Sequence, residues 1–560
     1  MEKRVAIIGA GTSGLLACKY TLEKGFNPIV FEAEEGVGGL WRHTIEFTKL
    51  QTTISTYQFS DFSWHSFAKE ESPNSQQMLH YLNSYAQHFS LFPYIKFNSK
   101  VMEVEYVGES SEEMEIWELW GGNGRPFFSK GTWHIAVQDT KNFSRESLIK
   151  LVQQQTWRPN LNRRMMALRC KSTRRHLETG VHQREVYEAE FVILCIGKYS
   201  GVPNIPLFPP GQGPEVFKGK VLHSMNYSAL DNKIAAELIK DKRVTVIGSQ
   251  KSAIDIATEC AHANGVKYPC TMIQRSAHWF FPELNILGID IEYFYANRFA
   301  ELLVHKPGES FLLSLVATLL SPLRWGLAKV AESYLRWRLP MKKYGLVPSY
   351  SILQGISSCR IGVLAENFYD KLKEGSILIK KSQSFGFCKE GLLINGEAKP
   401  LETDIVILAT GYKGDEKLQS IFKSHVFQKY IIGSKSSSVP LYRQIIHPRI
   451  PQLAIIGYAE SLSNLYSSEM RCQWLAHFLD GNIELPTITE MEKDVKVWDD
   501  NMKLHAGEYY WKSCIANCGI WYNDQLCKDI GCNHRRKKGL FAELFEPYGP
   551  KDYVGLSHKR

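Results

Sequence analysis

Residues 3 to 41 constrain the fold more than any other stretch. KRVAIIGAGTSGLLACKYTLEKGFNPIVFEAEEGVGGLW reads as a strand, a tight turn, a helix and a second strand. Gly9, Gly11 and Gly14 form G-x-G-x-x-G between the apolar run VAII and the helical pattern that Gly25 ends. Gly9 permits the turn, Gly11 lets backbone approach a pyrophosphate, and Gly14 lets the helix pack on the strand. The helix N-terminus then faces the phosphates. Glu32, at the end of the second strand, is placed to accept from ribose hydroxyls and would repel a 2'-phosphate, so FAD or NAD is expected there and not NADP. A second glycine-rich bend follows, with Gly36, Gly38, Gly39, Leu40 and Trp41 in EEGVGGLWR, and suits the close passage of an extended cofactor.

KRVTVIGSQKSAIDIATECA, residues 242 to 261, repeats the rhythm. Gly248 holds the first glycine position, Gln250 replaces the second and Ala253 the third. Alanine suits the helix contact, whereas Gln250 puts a side chain where backbone would meet phosphate. Ser249 and Ser252 are candidate phosphate donors. The next strand ends in Gln274, Arg275 and Ser276 with no acid, and the planar fork of Arg275 suits a 2'-phosphate, so NADPH is expected in this unit.

LETDIVILATGYKGDE then reads as a buried strand ending at Thr410 and Gly411, both expected at a cofactor. The fold expected is α/β, two Rossmann-like dinucleotide-binding domains with the NADPH domain inserted into the FAD domain. The boundaries read from the sequence are 1–223 for the first part of the FAD domain, 224–394 for the NADPH domain with a helical subdomain, and 395–560 for the FAD-domain return and C-terminal segment.

A chain of 560 residues with 44% hydrophobic and 22% charged residues has the composition of a globular protein with several cores. The net charge of +9 gathers in residues 157 to 184, where Glu178 is the single acid, so it does not imply a nucleic-acid partner. No secretory signal is read. The run FLLSLVATLL, 311 to 320, is read as too short to span a bilayer; with the basic pattern after it, it is expected to be a packing helix, with peripheral membrane contact as the alternative. Cytoplasmic placement follows, with the endoplasmic-reticulum surface as the variant. Of twelve cysteines, Cys514, Cys518, Cys527 and Cys532 cluster in the tail without zinc spacing; no metal site and unpaired thiols are expected.

With these residues on the page, the chain resembles the class B flavin-dependent monooxygenases. FKGKVLHSMNY, 217 to 227, matches the family's F-x-G-x-x-x-H-x-x-x-(Y/F) signature through Phe217, Gly219, His223 and Tyr227. Tyr227 favours the N- and S-oxygenating branch, since Baeyer–Villiger relatives end the motif in Trp. The GGLW bend, the His278-Trp279 pair and ATGY at 409 to 412 agree. KLQT at 49 to 52, SDFSW at 60 to 64, SPLRW at 321 to 325, SEMRCQWLA at 468 to 476 and ELFEPYGPKDY at 543 to 553 resemble the plant group that includes the pipecolate N-hydroxylase of systemic immunity.

The resemblance implies an enzyme using FAD, NADPH and O2 that oxygenates a soft nucleophile through a flavin C4a-hydroperoxide. It implies N-hydroxylation of a small amino acid or amine such as L-pipecolate. S-oxygenation of a thioether, oxidative decarboxylation of indole-3-pyruvate and an uncoupled NADPH oxidase are the alternatives. Gln51 stands where animal members have the Asn that supports the hydroperoxide; Gln51 or Thr52 is expected to make that contact, and Asn464, Asp61 and His65 are candidates for the cavity wall. His223 is expected to serve as a structural hinge. Residues 151 to 184 interrupt a place where the family has a short hairpin turn and are read as an atypical insertion.

Overall fold

Val5, Ala6, Ile7 and Ile8 are all buried, and alternate residues enter two different cores. That is why VAII is continuously apolar: a parallel sheet covered on both faces has no solvent side to mark with polar residues. Phe191, Val192, Ile193 and Leu194 repeat the pattern in the neighbouring strand.

The computed structural model describes residues 3–64, 72–127, 129–141, 184–286, 288–432 and 438–556. Ten strands build the two main sheets: β1 Arg4–Ile8, β2 Asn27–Phe31, β3 Ile95–Lys96, β4 Phe191–Leu194, β5 Lys220–His223, β6 Val244–Ile247, β7 Cys270–Gln274, β8 Ile377–Lys381, β9 Ile405–Leu408 and β10 Leu453–Ile455. The first sheet runs β10-β4-β1-β2-β3 and the second β8-β7-β6-β9-β5, every neighbouring pair parallel. Helix α1, Thr12–Glu23, follows β1, and α2, Lys251–Asn264, follows β6. Both sheets therefore place a strand-turn-helix unit at the carboxyl end of a central strand, where open α/β sheets bind ligands.

The two-unit α/β fold stands as read, but the strands do not divide at 223 and 394. β5 and β9 belong to the second sheet, with Ile407 opposite Leu222 and Val246. The second unit thus recruits strands from both sides of the stretch assigned to it. Hydrogen-bond partners far away in sequence decide sheet membership, and no local pattern carries that information. Of the described residues after 394, only β10 returns to the first sheet, with Ala454 opposite Ile193.

Two further expectations are corrected. The run at 311 to 320 is the first part of α3, Phe311–Arg338, one helix of 28 residues that continues through Pro322. By length and apolar composition alone (mean hydropathy 1.5) it meets the requirement for crossing a bilayer, and only 11% of its apolar window is buried. Ala317, Ala328, Glu332 and Leu335 form the buried stripe, while Phe311, Leu319, Trp325, Val330 and Trp337 are each more than 60% exposed. It is not the covered packing helix that was read. In the tail, Cys514 is not an unpaired thiol: it is joined to Cys359 across 155 residues of sequence. Among the described residues no group of His, Cys, Asp or Glu has metal-binding geometry. His65 and the segment 151–184, Arg184 apart, lie outside the described residues.

Candidate active site

The first turn is built by exclusion. A Cβ on Gly14 would sit 1.8 Å from the Gly9 carbonyl oxygen, so helix α1 approaches the turn only because residue 14 has no side chain. Gly11 faces the second glycine bend, where a Cβ would lie 3.4 Å from the Gly39 Cα, and the Gly38 N–H donates to the Ala10 carbonyl at 3.1 Å. Helix α1 starts without a side-chain cap and without an acid in its first turn, which leaves its leading N–H groups for an anion. Glu32 is buried beside them. Its carboxylate accepts from the Ala10 N–H at 2.6 Å and the Glu34 N–H at 2.9 Å. Burial raises its pKa, and the two backbone donors oppose that rise. Leu40 is half exposed at the lip, and Trp41 meets Tyr57 edge-on at 6.4 Å. Glycines that exclude side chains, free helix N–H groups and a buried acid at the next strand end fit the dinucleotide end of FAD.

The second turn has the same skeleton. Gly248 has φ +145°, and a Cβ there would lie 2.4 Å from the Ala409 carbonyl oxygen. Ala253 is buried against the turn, as its position requires. Gln250 is the N-cap of α2, yet its side chain caps nothing, so the departure from glycine leaves the helix N–H groups uncovered. Ser249 opens on a cleft that it shares with Gln274, His278 and Phe280. Ser252 and Arg275 are exposed, and Arg275 pairs with no carboxylate among the described residues. Free N–H groups, hydroxyls and an unpaired guanidinium fit a phosphorylated dinucleotide. Thr410 and Gly411 stand here and not at the first turn: they follow β9, and the Ala409 N–H donates to the Ile247 carbonyl at 2.8 Å. The Thr410 hydroxyl donates to the Asn204 carbonyl.

The predicted polar residues separate. Gln51 Oε1 accepts from the Val363 N–H at 3.3 Å. The Thr52 hydroxyl is buried and meets no hydrogen-bond partner among the described residues. Asn464 is exposed at the start of helix α4, Asn464–Leu479, and its Oδ1 is taken by the Ser461 N–H at 2.8 Å and hydroxyl at 3.2 Å. Just before α4, the Ser463 hydroxyl donates to the Thr56 carbonyl at 2.8 Å and so ties the two regions together. Asp61 pairs with Lys19 of α1. His223 caps the short helix after β5 through Nδ1, at 3.1 Å from the Met225 N–H; burial lowers its pKa to about 4, so the ring is neutral at pH 7.

Glu469 escaped the sequence reading. It is buried in α4 and accepts from the Ser60 N–H at 2.8 Å, the Ser60 hydroxyl at 2.9 Å and the Tyr20 hydroxyl at 2.7 Å. Burial pushes its pKa up to about 7. It ties the 60s loop to α1 and so to the first turn. No local signal marks it, because the helix around it also carries Ser467, Ser468, Arg471, Gln473 and His477.

Two parallel sheets, each with a strand, a glycine turn and a helix at its carboxyl end, make the class B flavoprotein monooxygenase fold. The steroid monooxygenase structure bound to NADP covers 94% of this chain and 97% of that protein with a TM-score of 0.60 at 18% identity. The S-allyl-L-cysteine S-oxygenase from Allium sativum covers 95% and 89%, with a TM-score of 0.53 at 16% identity. The family described as "Flavin-binding monooxygenase-like" matches residues 2–121 and 140–540. "Probable flavin-containing monooxygenase 1" of Arabidopsis thaliana is 39% identical over 99% of this chain and 96% of its own length. "Putative flavin-containing monooxygenase 2" of the same plant is 35% identical over 94% and 97%. The chain belongs to the flavin-binding monooxygenase-like family, and it is an NADPH-dependent flavin monooxygenase that uses FAD.

Proposed function

We propose that the chain N-hydroxylates a small amino acid or amine, L-pipecolate above all, beside the loop that carries Gln51 and Thr52. The observation that carries this placement is the buried, unpartnered Thr52 hydroxyl. Such a group costs about 1–3 kcal/mol when left unsatisfied, and a bound ligand that accepts from it removes that cost. The substrate class rests on the resemblance of KLQT, SDFSW and the C-terminal ELFEPYGPKDY to the pipecolate N-hydroxylase group. On the same ground the chain acts in plant defence.

When bound, FAD reduced by NADPH activates O2 and supplies the oxygen atom. The protein supplies place and dryness. The N–H groups at the start of α1, with Gly9, Gly11 and Gly14 around them, hold the FAD pyrophosphate. Glu32 takes the ribose, and Gly39, Leu40 and Trp41 line the cofactor's path. Gly248, Ser249 and Ser252 hold the NADPH phosphates, and Arg275 takes the 2'-phosphate. Thr410 and Gly411 shape the floor beside that second site. With the cofactor bound, the Thr52 hydroxyl and the Gln51 amide would be the donors nearest the reacting oxygen, and Asn464 keeps the adjoining turn in register. The free-amine form of the substrate nitrogen is the nucleophile; the ammonium form gives its proton to solvent first, so no acid–base dyad of the protein is required.

Helix α3 adds a location. Its exposed apolar side chains run into Arg336, Arg338, Lys342 and Lys343, and this pattern fits a helix lying on an anionic membrane surface, with the endoplasmic reticulum as the setting.

The test is product analysis with FAD-loaded enzyme, NADPH, O2 and L-pipecolate. N-hydroxypipecolate formed with matching NADPH consumption is the expected result. Sulfoxide from S-methyl-L-cysteine with no N-hydroxylated product would move the assignment to S-oxygenation. Peroxide as the sole product from every substrate would leave an oxidase.

A further inference from the structure

Arg360 is 6% exposed and pairs with no carboxylate among the described residues. Its guanidinium lies 3.5 Å from the ring centroid of Tyr509 and 4.6 Å from that of Tyr350. Nη2 is 3.2 Å from His278 Nδ1, and Nε has no partner. Burial first, then the charges of Arg360 and Lys512, lower the His278 pKa to about 3, so the imidazole is a neutral acceptor. The partly exposed Arg298 is held by Asp524 and Glu543, and the partly exposed Arg443 by Asp529. Arg471, buried as well, donates to two oxygens, the Ala459 carbonyl and the Tyr522 hydroxyl, and leaves Nη2 without a partner. A guanidinium buried with one neutral nitrogen as its acceptor is expensive unless an anion completes it.

The setting says which anion. Arg360 leads directly into the strand Ile361–Val363, which pairs with Trp279–Phe281. Two residues on, Gly362 leaves room for the Gln51 amide: a Cβ there would lie 2.7 Å from Gln51 Oε1. The Val363 N–H holds that same oxygen. The buried cation and the proposed oxygenation loop are thus fixed to one short strand. Two aromatic rings flank the guanidinium, and its Nε is left without a partner, a donor that a carboxylate can take.

We propose that Arg360 anchors the α-carboxylate of the substrate, held between Tyr350 and Tyr509 so that the substrate's nitrogen or sulfur reaches the Gln51–Thr52 loop. This rests on the amino-acid reading given above and adds the residue that enforces it. It separates carboxylate-bearing substrates from plain amines.

FAD-loaded wild-type enzyme and Arg360→Gln are compared with L-pipecolate and with piperidine, which lacks only the carboxylate. Equilibrium dialysis of L-pipecolate, S-methyl-L-cysteine and indole-3-pyruvate without NADPH accompanies the kinetics. The expected result is a rise in KM for L-pipecolate of about 30-fold or more, the loss of one charge-assisted pair. KM for piperidine and for NADPH, and the bound flavin, stay unchanged. If Arg360→Gln loses flavin, Arg360→Lys takes its place: it keeps charge without the fork, and a selective loss of about tenfold is expected. Unchanged carboxylate binding in the variant overturns the anchor even if wild type makes N-hydroxypipecolate. A rise confined to NADPH assigns Arg360 to cofactor phosphate and overturns it as well. Arg360-dependent binding of one of the other carboxylates, with no N-hydroxylation of L-pipecolate, keeps the anchor and rejects the N-hydroxylase reading. Binding of no carboxylate by wild type rejects the anchor.

Discussion

At the scale of single residues, the site divides by how far a side chain's partners lie along the chain. Gly9, Gly14 and Glu32 were legible because their work is local: a turn, a helix contact and the end of the next strand. Arg275 is proposed on the same local ground, its place at the end of the strand after the second turn. Arg275→Ala should raise KM for NADPH by about tenfold or more while leaving KM for NADH in place, because only NADPH carries the 2'-phosphate; equal effects in steady-state kinetics would remove the assignment. Glu469 and Arg360 were not legible. Their partners sit at Ser60 and Tyr20, and at His278 and Tyr509, and no spacing rule connects those positions. Glu469 has a measurable signature. Its pKa is raised in the folded protein to about 7 by burial, above its value in the unfolded chain. Its contribution to stability is therefore complete below about pH 4 and is lost as pH rises through about 7. Glu469→Gln should lose stability relative to wild type less at pH 8 than at pH 5, read as the difference in Tm at each pH.

At the scale of elements, apolar strands between glycine turns announced themselves, while α3 was cut short. Pro322 looks like a stop because it cannot donate to the carbonyl four residues back. In the structure that carbonyl belongs to Thr318, an exposed residue, where water can replace the lost donor. The helix is roughly 42 Å long at 1.5 Å per residue, more than the roughly 30 Å of a bilayer's hydrocarbon core. Its buried stripe nevertheless includes Glu332, which accepts from the Ile352 N–H at 3.1 Å and pairs with Lys329 at 2.8 Å. That stripe docks the helix on the protein, and the proposed membrane contact falls to its exposed apolar side chains. Co-sedimentation with vesicles containing phosphatidylserine should retain the wild-type protein. Changing Leu319, Trp325 and Trp337 together to Glu should release it without loss of flavin, since all three are exposed. Retention of that variant would reject the surface contact.

At the scale of the whole molecule, what the sequence reading missed was exchange. The second sheet borrows β5 and β9, and the C-terminal segment is fastened back onto the second unit by Cys359–Cys514. Closing a loop of that length in the unfolded chain should contribute about 5 kcal/mol by chain entropy, against roughly 2–4 kcal/mol for a typical disulfide. Cys514→Ser should lower Tm under oxidising conditions, and a reductant should lower the wild type to match; a Tm unchanged by both would show that the bridge carries no stability.

The return of β10 also sets an order of assembly during synthesis. Every strand of the second sheet has been made by Leu408, but the first sheet lacks its edge partner for β4 until Leu453–Ile455 emerges from the ribosome. The NADPH unit can therefore close while the older FAD unit still has an open sheet edge, the kind of surface that chaperones cover and that aggregates when left bare. The part translated first is the part completed last.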